Sequence, residues 1–242
     1  MARNYEQELT DRVAWIRAQL SAAGASGIVY GNSGGKDSAL VGILCKKAAD
    51  DTVALILPIS KRNFEIDRRD GLEVATQYGI ATREVDLAPV KDSVLASLGG
   101  VTTVSDMASA NIGPRLRMIT LYAVAASENR LVAGTGNRSE AHMGYFTKWG
   151  DGAHDFNPIA DLTVTEIYEF LDYLGAPNAV RTKAPSAALF DGQTDEDEMG
   201  ITYAAIDEFL LHGKASPEDS AKIELYNKRS EHKRHMPLAY GG

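Results

Sequence analysis

Four short strand-like runs, at 27–31, 52–57, 81–87 and 130–133, constrain this chain more than any other feature. Between them, apolar residues recur at three- and four-residue spacing over 37–49, 65–78 and 113–129. That spacing marks amphipathic helices. Strands that are apolar throughout, alternating with helices, predict a parallel sheet covered on both faces: an α/β, doubly wound fold with right-handed crossovers. Helices are also expected over 4–22, 89–97, 164–174, 202–212 and much of 217–232, and Pro114 is expected in the first turn of its helix. Residues 144–163, rich in Gly, Asp and Pro, read as loop. Ligands of such sheets sit beyond the carboxyl ends of the strands.

At 242 residues and 44% hydrophobic content, the chain can bury one substantial core. No internal repeat or linker interrupts it, so 1–242 reads as a single domain. The 33 acidic and 25 basic residues give a net charge of -8, which argues against a general nucleic-acid binder. A local basic pocket for a small anion remains compatible with that balance. Cys45 is the only cysteine, so neither an internal disulfide nor a cysteine-built zinc site is available, and it reads as a buried core residue. The first thirty residues contain no signal-peptide core, and no apolar run approaches membrane-spanning length. The expected setting is cytoplasmic, with no membrane partner.

The segment after the first run is Gly31-Asn32-Ser33-Gly34-Gly35-Lys36-Asp37-Ser38. A glycine-rich turn from strand to helix brings backbone N–H groups close to phosphates. It is not a Walker A loop: only three residues separate Gly31 from Gly35, and Asp37 follows Lys36 where that motif needs Ser or Thr. It also lacks the Gly-x-Gly-x-x-Gly spacing of a dinucleotide fold. The bland alternative is a tight turn with Asp37 as a helix cap. The six residues Ser33 to Ser38 read Ser-Gly-Gly-x-Asp-Ser. They resemble the pyrophosphate loop of the N-type ATP pyrophosphatases, in which the loop holds the β- and γ-phosphates of ATP and the aspartate reaches magnesium.

Three later segments narrow the resemblance. They are Asn111-Ile112-Gly113-Pro114-Arg115-Leu116-Arg117-Met118; Gly134-Thr135-Gly136-Asn137-Arg138-Ser139-Glu140 continuing through Gly144 to Asp155; and Lys183 to Ala187 followed by Gln193 to Gly200. With a closing Glu231-His232-Lys233-Arg234, they resemble the bacterial ammonia-dependent NAD synthetases over nearly the whole chain. The resemblance implies an adenine nucleotide alpha hydrolase-like, Rossmann-like sheet. It implies that the chain adenylates and then amidates deamido-NAD, using ATP and ammonia and releasing AMP and pyrophosphate.

The same resemblance assigns candidate residues. Asp37 and Glu140 match the magnesium-binding acids. Gly31, Asn32, Ser33, Gly34, Gly35, Lys36, Asp37, Ser38, Thr135 and Ser186 match ATP contacts. Arg115, Lys148, Asp155, His232 and Lys233 match deamido-NAD contacts, and Asp151 lies beside them. The family binds the dinucleotide at a homodimer interface, so a homodimer is expected. No covalent nucleophile is implied. Each residue has a plainer reading: Glu140 as a solvated helix residue, Asp151 and Asp155 as turn residues, and His232 with Lys233 as a surface charge run. Arg115 and Arg117 would flank a helix start, where basic side chains are dipole-unfavourable; an anion or a salt bridge would answer that. The acidic stretch 191–198 reads as a solvated loop, or in the family as a segment near the active site.

Two competing functions share this fold. A tRNA-thiolating pyrophosphatase usually brings extra cysteines or a basic RNA surface, and neither is present. A non-catalytic nucleotide binder would not need both Asp37 and Glu140. Glutamine-dependent relatives carry a glutaminase domain with a cysteine nucleophile; this chain begins almost directly with the synthetase region, so ammonium is the expected nitrogen donor. One departure stands out. Many members place an ATP-binding lysine nine residues after the aspartate equivalent to Asp155, and here that residue is Val164. Lys36, at a variable loop position, is expected to supply the missing charge; the alternative is a lysine pointing to solvent.

Overall fold

The computed structural model describes residues 3–60, 64–182 and 194–240. Its elements are α1 (Tyr5–Ala23), β1 (Gly27–Gly31), α2 (Lys36–Ala48), β2 (Thr52–Ile56), α3 (Phe64–Tyr78), β3 (Ala81–Glu84), α4 (Ala88–Leu98), α5 (Asp106–Glu128), β4 (Arg130–Ala133), α6 (Arg138–Met143), α7 (Val164–Leu174), α8 (Asn178–Thr182), α9 (Asp195–Met199), α10 (Tyr203–His212) and α11 (Pro217–Ser230). The four strands form one parallel sheet in the order β3-β2-β1-β4. The chain starts in the middle, builds outward through β2 and β3, then returns to the other side of β1. That reversal creates a crevice between the carboxyl ends of β1 and β4, where open α/β sheets bind ligands.

Both faces of the sheet are covered at β1 and β2, whereas the edge strand β3 is largely exposed. Ile28 and Tyr30 of β1 pack with Leu40, Ile43 and Leu44 of α2 and with Ile167 and Phe170 of α7. Val29, on the opposite face, packs with Val53, Leu55 and Val132, and with Ala125, Leu121 and Val124 of α5. Burial on both sides is why β1 and β2 read as unbroken apolar runs rather than alternating ones. A third cluster, formed by Met143, Val164, Met199, Ile201, Tyr203, Ile206 and Ile223, joins α6, α7, α9, α10 and α11 at one end. Edges are guarded by charge and cover. Arg83 and Arg68 on the β3 side pair with Glu128 and Glu84, and β4 is capped by the Asp155 carboxylate, which accepts from Val132 N at 2.7 Å.

Three expectations are corrected. The long helix begins at Asp106, not at Gly113: Ser105 caps it by accepting from Ala108 N, and Pro114 lies in the interior. Arg115 and Arg117 therefore sit mid-helix, and the dipole argument for an anion beside them lapses. The third strand ends at Glu84, although Val85 N and Leu87 N still donate to Ile56 O and Pro58 O. The described part of the acidic stretch 191–198 is helix from Asp195, capped by Thr194, and Asp195 is buried. Residues 191–193 and Ser186, with the rest of its motif, lie outside the described residues.

Candidate active site

The turn from β1 to α2 is held by its own side chains. Asn32 Oδ1 accepts from Gly34 N at 3.1 Å, and its Nδ2 donates to Gly71 O at 3.1 Å. Ser33 Oγ accepts from Gly35 N, and Ser38 Oγ accepts from Ser33 N, both at 3.3 Å. The loop donors thus rest on neutral oxygens that a phosphate oxygen can replace. Gly34 has φ +69°, and a Cβ there would collide with the backbone of Asp67. Only glycine fits a left-handed residue packed that closely.

The turn from β4 to α6 faces it across the crevice. Gly134 packs against the His154 ring with no room for a Cβ, and Thr135 follows, half-buried. Asn137 caps α6 in a reciprocal box: its Oδ1 accepts from Glu140 N at 2.9 Å, and Glu140 Oε2 accepts from Asn137 N at 3.0 Å. The amide end of Asn137 donates to Asp37 Oδ1 at 3.0 Å. One wholly buried asparagine therefore ties the two acids together, although 100 positions separate Asn137 from Asp37. Behind it, buried Asp207 accepts from Ser139 Oγ at 2.5 Å and from Thr165 N at 2.7 Å, fixing the starts of α6 and α7.

Lys36 does not point to solvent. Its side chain is 5% exposed, its Nζ donates to Asp37 Oδ2 at 2.7 Å, and it lies 5.7 Å from the centroid of the Tyr203 ring. Burial opposes its charge, but Asp37 and Glu140 outweigh burial and raise its pKa. Glu140 is pushed well above the usual carboxylate range, first by burial and then by Asp37. Tyr203 is raised as well, by burial and by Glu140 and Asp195; its hydroxyl donates to Asp195 Oδ2 at 3.2 Å. Val164 is buried in the apolar cluster that contains Tyr203.

Asp37 and Glu140 offer hard oxygen donors of the kind magnesium takes, one or two carboxylates beside substrate phosphates. Among the described residues, no group of three or more His, Cys, Asp or Glu is arranged to hold a metal by itself. Two acids beside a phosphate loop therefore fit a magnesium–nucleotide better than a free-standing metal centre.

The second set of candidates gathers around the loop 144–152. Arg115 Nη2 donates to Lys148 O at 3.4 Å, and Lys148 Nζ donates to His232 O at 2.6 Å. Lys233 Nζ donates to Gly144 O and Phe146 O, each at 2.8 Å, and Asp151 Oδ1 accepts from Thr147 N at 2.9 Å. Asp155 is held differently: its carboxylate accepts from Val132 N and from Tyr122 Oη. Asn137, Tyr203 and Asp195 were not among the sequence-derived candidates. The spacing Asn137-x-x-Glu140 after a strand was a readable capping-box signal; nothing local marked Tyr203.

The NAD synthase family model matches residues 8–237. A relative from Carboxydothermus hydrogenoformans, named an NH3-dependent NAD+ synthetase, is 45% identical over 240 residues, 98% of each chain. Among solved structures, an NMN synthetase from Francisella tularensis superposes with a TM-score of 0.93 at 39% identity, over 98% of each chain. An NH3-dependent NAD synthetase from Campylobacter jejuni does so with a TM-score of 0.81 at 29% identity, over 98% of this chain and 99% of that one.

Proposed function

The chain belongs to the NAD synthase family, and from that premise we propose how its own residues carry out the family's reaction. The protein is an ammonia-dependent NAD synthetase, an ATP-using ligase that forms a carbon–nitrogen amide bond. Its acid substrate is deamido-NAD. We take 8–237 as one catalytic unit within a single domain spanning 1–242. No helix among the described residues is long and apolar enough to cross a membrane; a cytoplasmic setting, where ATP is supplied, is the proposed one.

A carboxylate is a poor acyl donor because its leaving group would be oxide. In the first step a nicotinate oxygen attacks the α-phosphorus of ATP, the bridging bond to the β-phosphate breaks, and pyrophosphate leaves. The product is a mixed anhydride of nicotinate and AMP. Ammonia then attacks its carbonyl carbon, the bond to the phosphate oxygen breaks, AMP departs, and the surplus proton of the nitrogen passes to solvent. No protein nucleophile is needed; positioning and charge neutralisation supply the catalysis. Gly31 to Ser38 cradle the polyphosphate, with the hydroxyls of Ser33 and Ser38 as donors, and Thr135 and Ser186 join them. Asp37 and Glu140 would hold magnesium, which supplies charge neutralisation on the phosphates when bound. Arg115, Lys148, Asp151, His232 and Lys233 orient the pyridine nucleotide, and Asp155 supports that edge of the sheet. We also propose a homodimer through α4, α5 and the turn between them, where Val90, Val101, Met107 and Ile119 are exposed. A fully active monomer in sedimentation velocity would refute it.

The observation that carries this reading is the pairing of Asp37 with the Asn137–Glu140 cap, across the β1/β4 crevice and beside a phosphate loop. The test supplies ATP, magnesium and ammonium with deamido-NAD, and separates NAD, AMP and pyrophosphate by chromatography. NAD and AMP in equal amounts are expected; absence of AMP-coupled amide would overturn the reading. The high similarity to the Francisella tularensis NMN synthetase favours one second reading, amidation of nicotinate mononucleotide. Running that acid in parallel decides it, through the ratio of the two kcat/KM values.

A further inference from the structure

A lysine is rarely buried without a partner, and Lys36 is buried against the aspartate of its own phosphate loop. Both oxygens of Asp37 are engaged: Oδ2 by the Lys36 ammonium at 2.7 Å, and Oδ1 by the Asn137 amide at 3.0 Å. The two donors differ in how firmly they are held. Asn137 is locked at both ends of its side chain, to Glu140 N and to Asp37. Lys36 has a flexible four-carbon stem, one ion pair and one ring contact. The ammonium neutralises an acidic corner in which Asp37 lies close to Glu140, and in which Asp195 stands behind Tyr203.

We propose that Lys36 is the resident counter-cation of this corner, and that a divalent ion binds by displacing its ammonium from Asp37. The proposal rests on the reading of Asp37 and Glu140 as metal-holding acids. An ammonium bonded to Oδ2 and a divalent ion on the same carboxylate repel each other, so the mobile partner leaves. Once released, Lys36 still belongs to the phosphate loop, where a polyphosphate takes its charge. Metal and nucleotide therefore bind as a couple: without ATP, displacing the ammonium strands a buried cation, and with ATP it does not. Val164 and the Tyr203 ring share one apolar cluster, and Lys36 lies over that ring, so this cation replaces the lysine usual in the family.

The test measures Mn2+ binding without ATP by the electron paramagnetic resonance of free Mn2+. The parent protein is expected to bind weakly. Lys36→Gln is expected to bind Mn2+ about tenfold tighter or more, since a unit charge a few ångströms from a divalent ion is removed. Lys36→Arg, which keeps the charge, should bind as weakly as the parent. Equal or weaker Mn2+ binding by Lys36→Gln overturns the proposal, as does equal tightening in Lys36→Arg. Asp37→Asn is the control for the underlying reading: if it leaves Mn2+ binding intact, the assignment of the metal-holding acids fails instead. Should Lys36→Gln fold poorly, the parent supplies its own readout. The 15N signal of the Lys36 ammonium should shift as Mg2+ occupies the site, and an unmoved signal at bound Mg2+ rejects displacement.

Discussion

The corner around Asp37 and the rim around Lys148 both hold cations, but in different ways. In the corner, Lys36 is buried and pairs with a carboxylate, and that carboxylate is tied to a helix cap. At the rim, Arg115 and His232 are exposed, and the cations of Arg115, Lys148 and Lys233 donate to backbone carbonyls. A carbonyl is a neutral placeholder: an arriving anion replaces it without breaking an ion pair, and the carbonyl returns to water. Pulling an ammonium off a buried carboxylate is costly unless another cation takes its place. On the proposed reading, the rim takes an anion by simple replacement and the corner takes a metal by exchange.

The largest expected effects come from the corner. Asp37→Asn and Glu140→Gln should each lower pyrophosphate release on the order of 10²–10³-fold or more, as for the loss of a group that meets charge developing in the transition state. Their far-ultraviolet circular dichroism should match the parent. Near-parental turnover in both at ordinary magnesium would erase the distinction drawn above. The rim should respond more mildly and in a different parameter. Arg115→Ala and Lys148→Ala remove charge-assisted contacts, so the KM for the pyridine nucleotide should rise roughly ten- to a hundredfold with little change in kcat or in the KM for ATP. A fall in kcat without a change in that KM would move these residues out of the rim role.

Lys36 lies between these cases. Lys36→Gln should raise the KM for ATP, or lower turnover, roughly tenfold, the effect of one charge-assisted contact. Adding Val164→Lys should restore part of the loss. Recovery is partial because position 164 is buried among Met143, Met199 and Ile201, and a charge there is costly to desolvate. If Lys36→Gln behaves like the parent, the replacement of the missing lysine is wrong, and the synthetase assignment stands on its other residues.

The fold was legible where burial is two-sided. The apolar runs at 27–31, 52–57 and 130–133 gave strands to within a residue, because the faces of β1, β2 and β4 are covered. The turn after β1 was legible because its left-handed backbone and close approach to Asp67 demand glycine at Gly34. Boundaries failed where tertiary contacts override a local rule. Pro114 looked like a helix start, yet Ser105 caps the helix two turns earlier. The environment of Lys36 was not legible at all: Tyr203 reaches it from α10, and only the packing of α7 and α10 brings that ring close. Asn137 stood midway, readable as a cap from its spacing to Glu140 but not as the donor to Asp37.

Asn137→Ala tests whether the cap or the link to Asp37 matters more. Losing a capping side chain costs about 1 kcal/mol of stability, and the stranded Asp37 oxygen should add to that by losing a buried donor. A stability loss measured in urea, together with a fall in turnover that excess magnesium partly repairs, is expected. Stability loss with unchanged turnover would reduce Asn137 to a cap.

The smallest effect is expected beneath the corner, at Tyr30. This residue is wholly buried on β1, immediately before the phosphate loop, and its hydroxyl has no hydrogen-bond partner among the described residues. Burial pushes its pKa upward. The hydroxyl lies against Gly42 of α2, where a Cβ would overlap it. A buried hydroxyl without a partner has lost its water and gained nothing, a cost of about 1–3 kcal/mol. Tyr30→Phe keeps the ring and removes that cost, leaving only a void the size of one oxygen. The variant should therefore be as stable as the parent or up to about 1 kcal/mol more stable, a rise in Tm of roughly 2–4 °C for a chain of this length. Its kinetic constants should be unchanged, because no residue of the corner bonds to that hydroxyl. This sharpens the comparison with the rim: if the corner is locked by its own caps and ion pair, its floor can lose a polar atom without effect. A loss of more than about 1 kcal/mol would show that the hydroxyl has a partner, such as a buried water, and that the floor takes part in holding the corner.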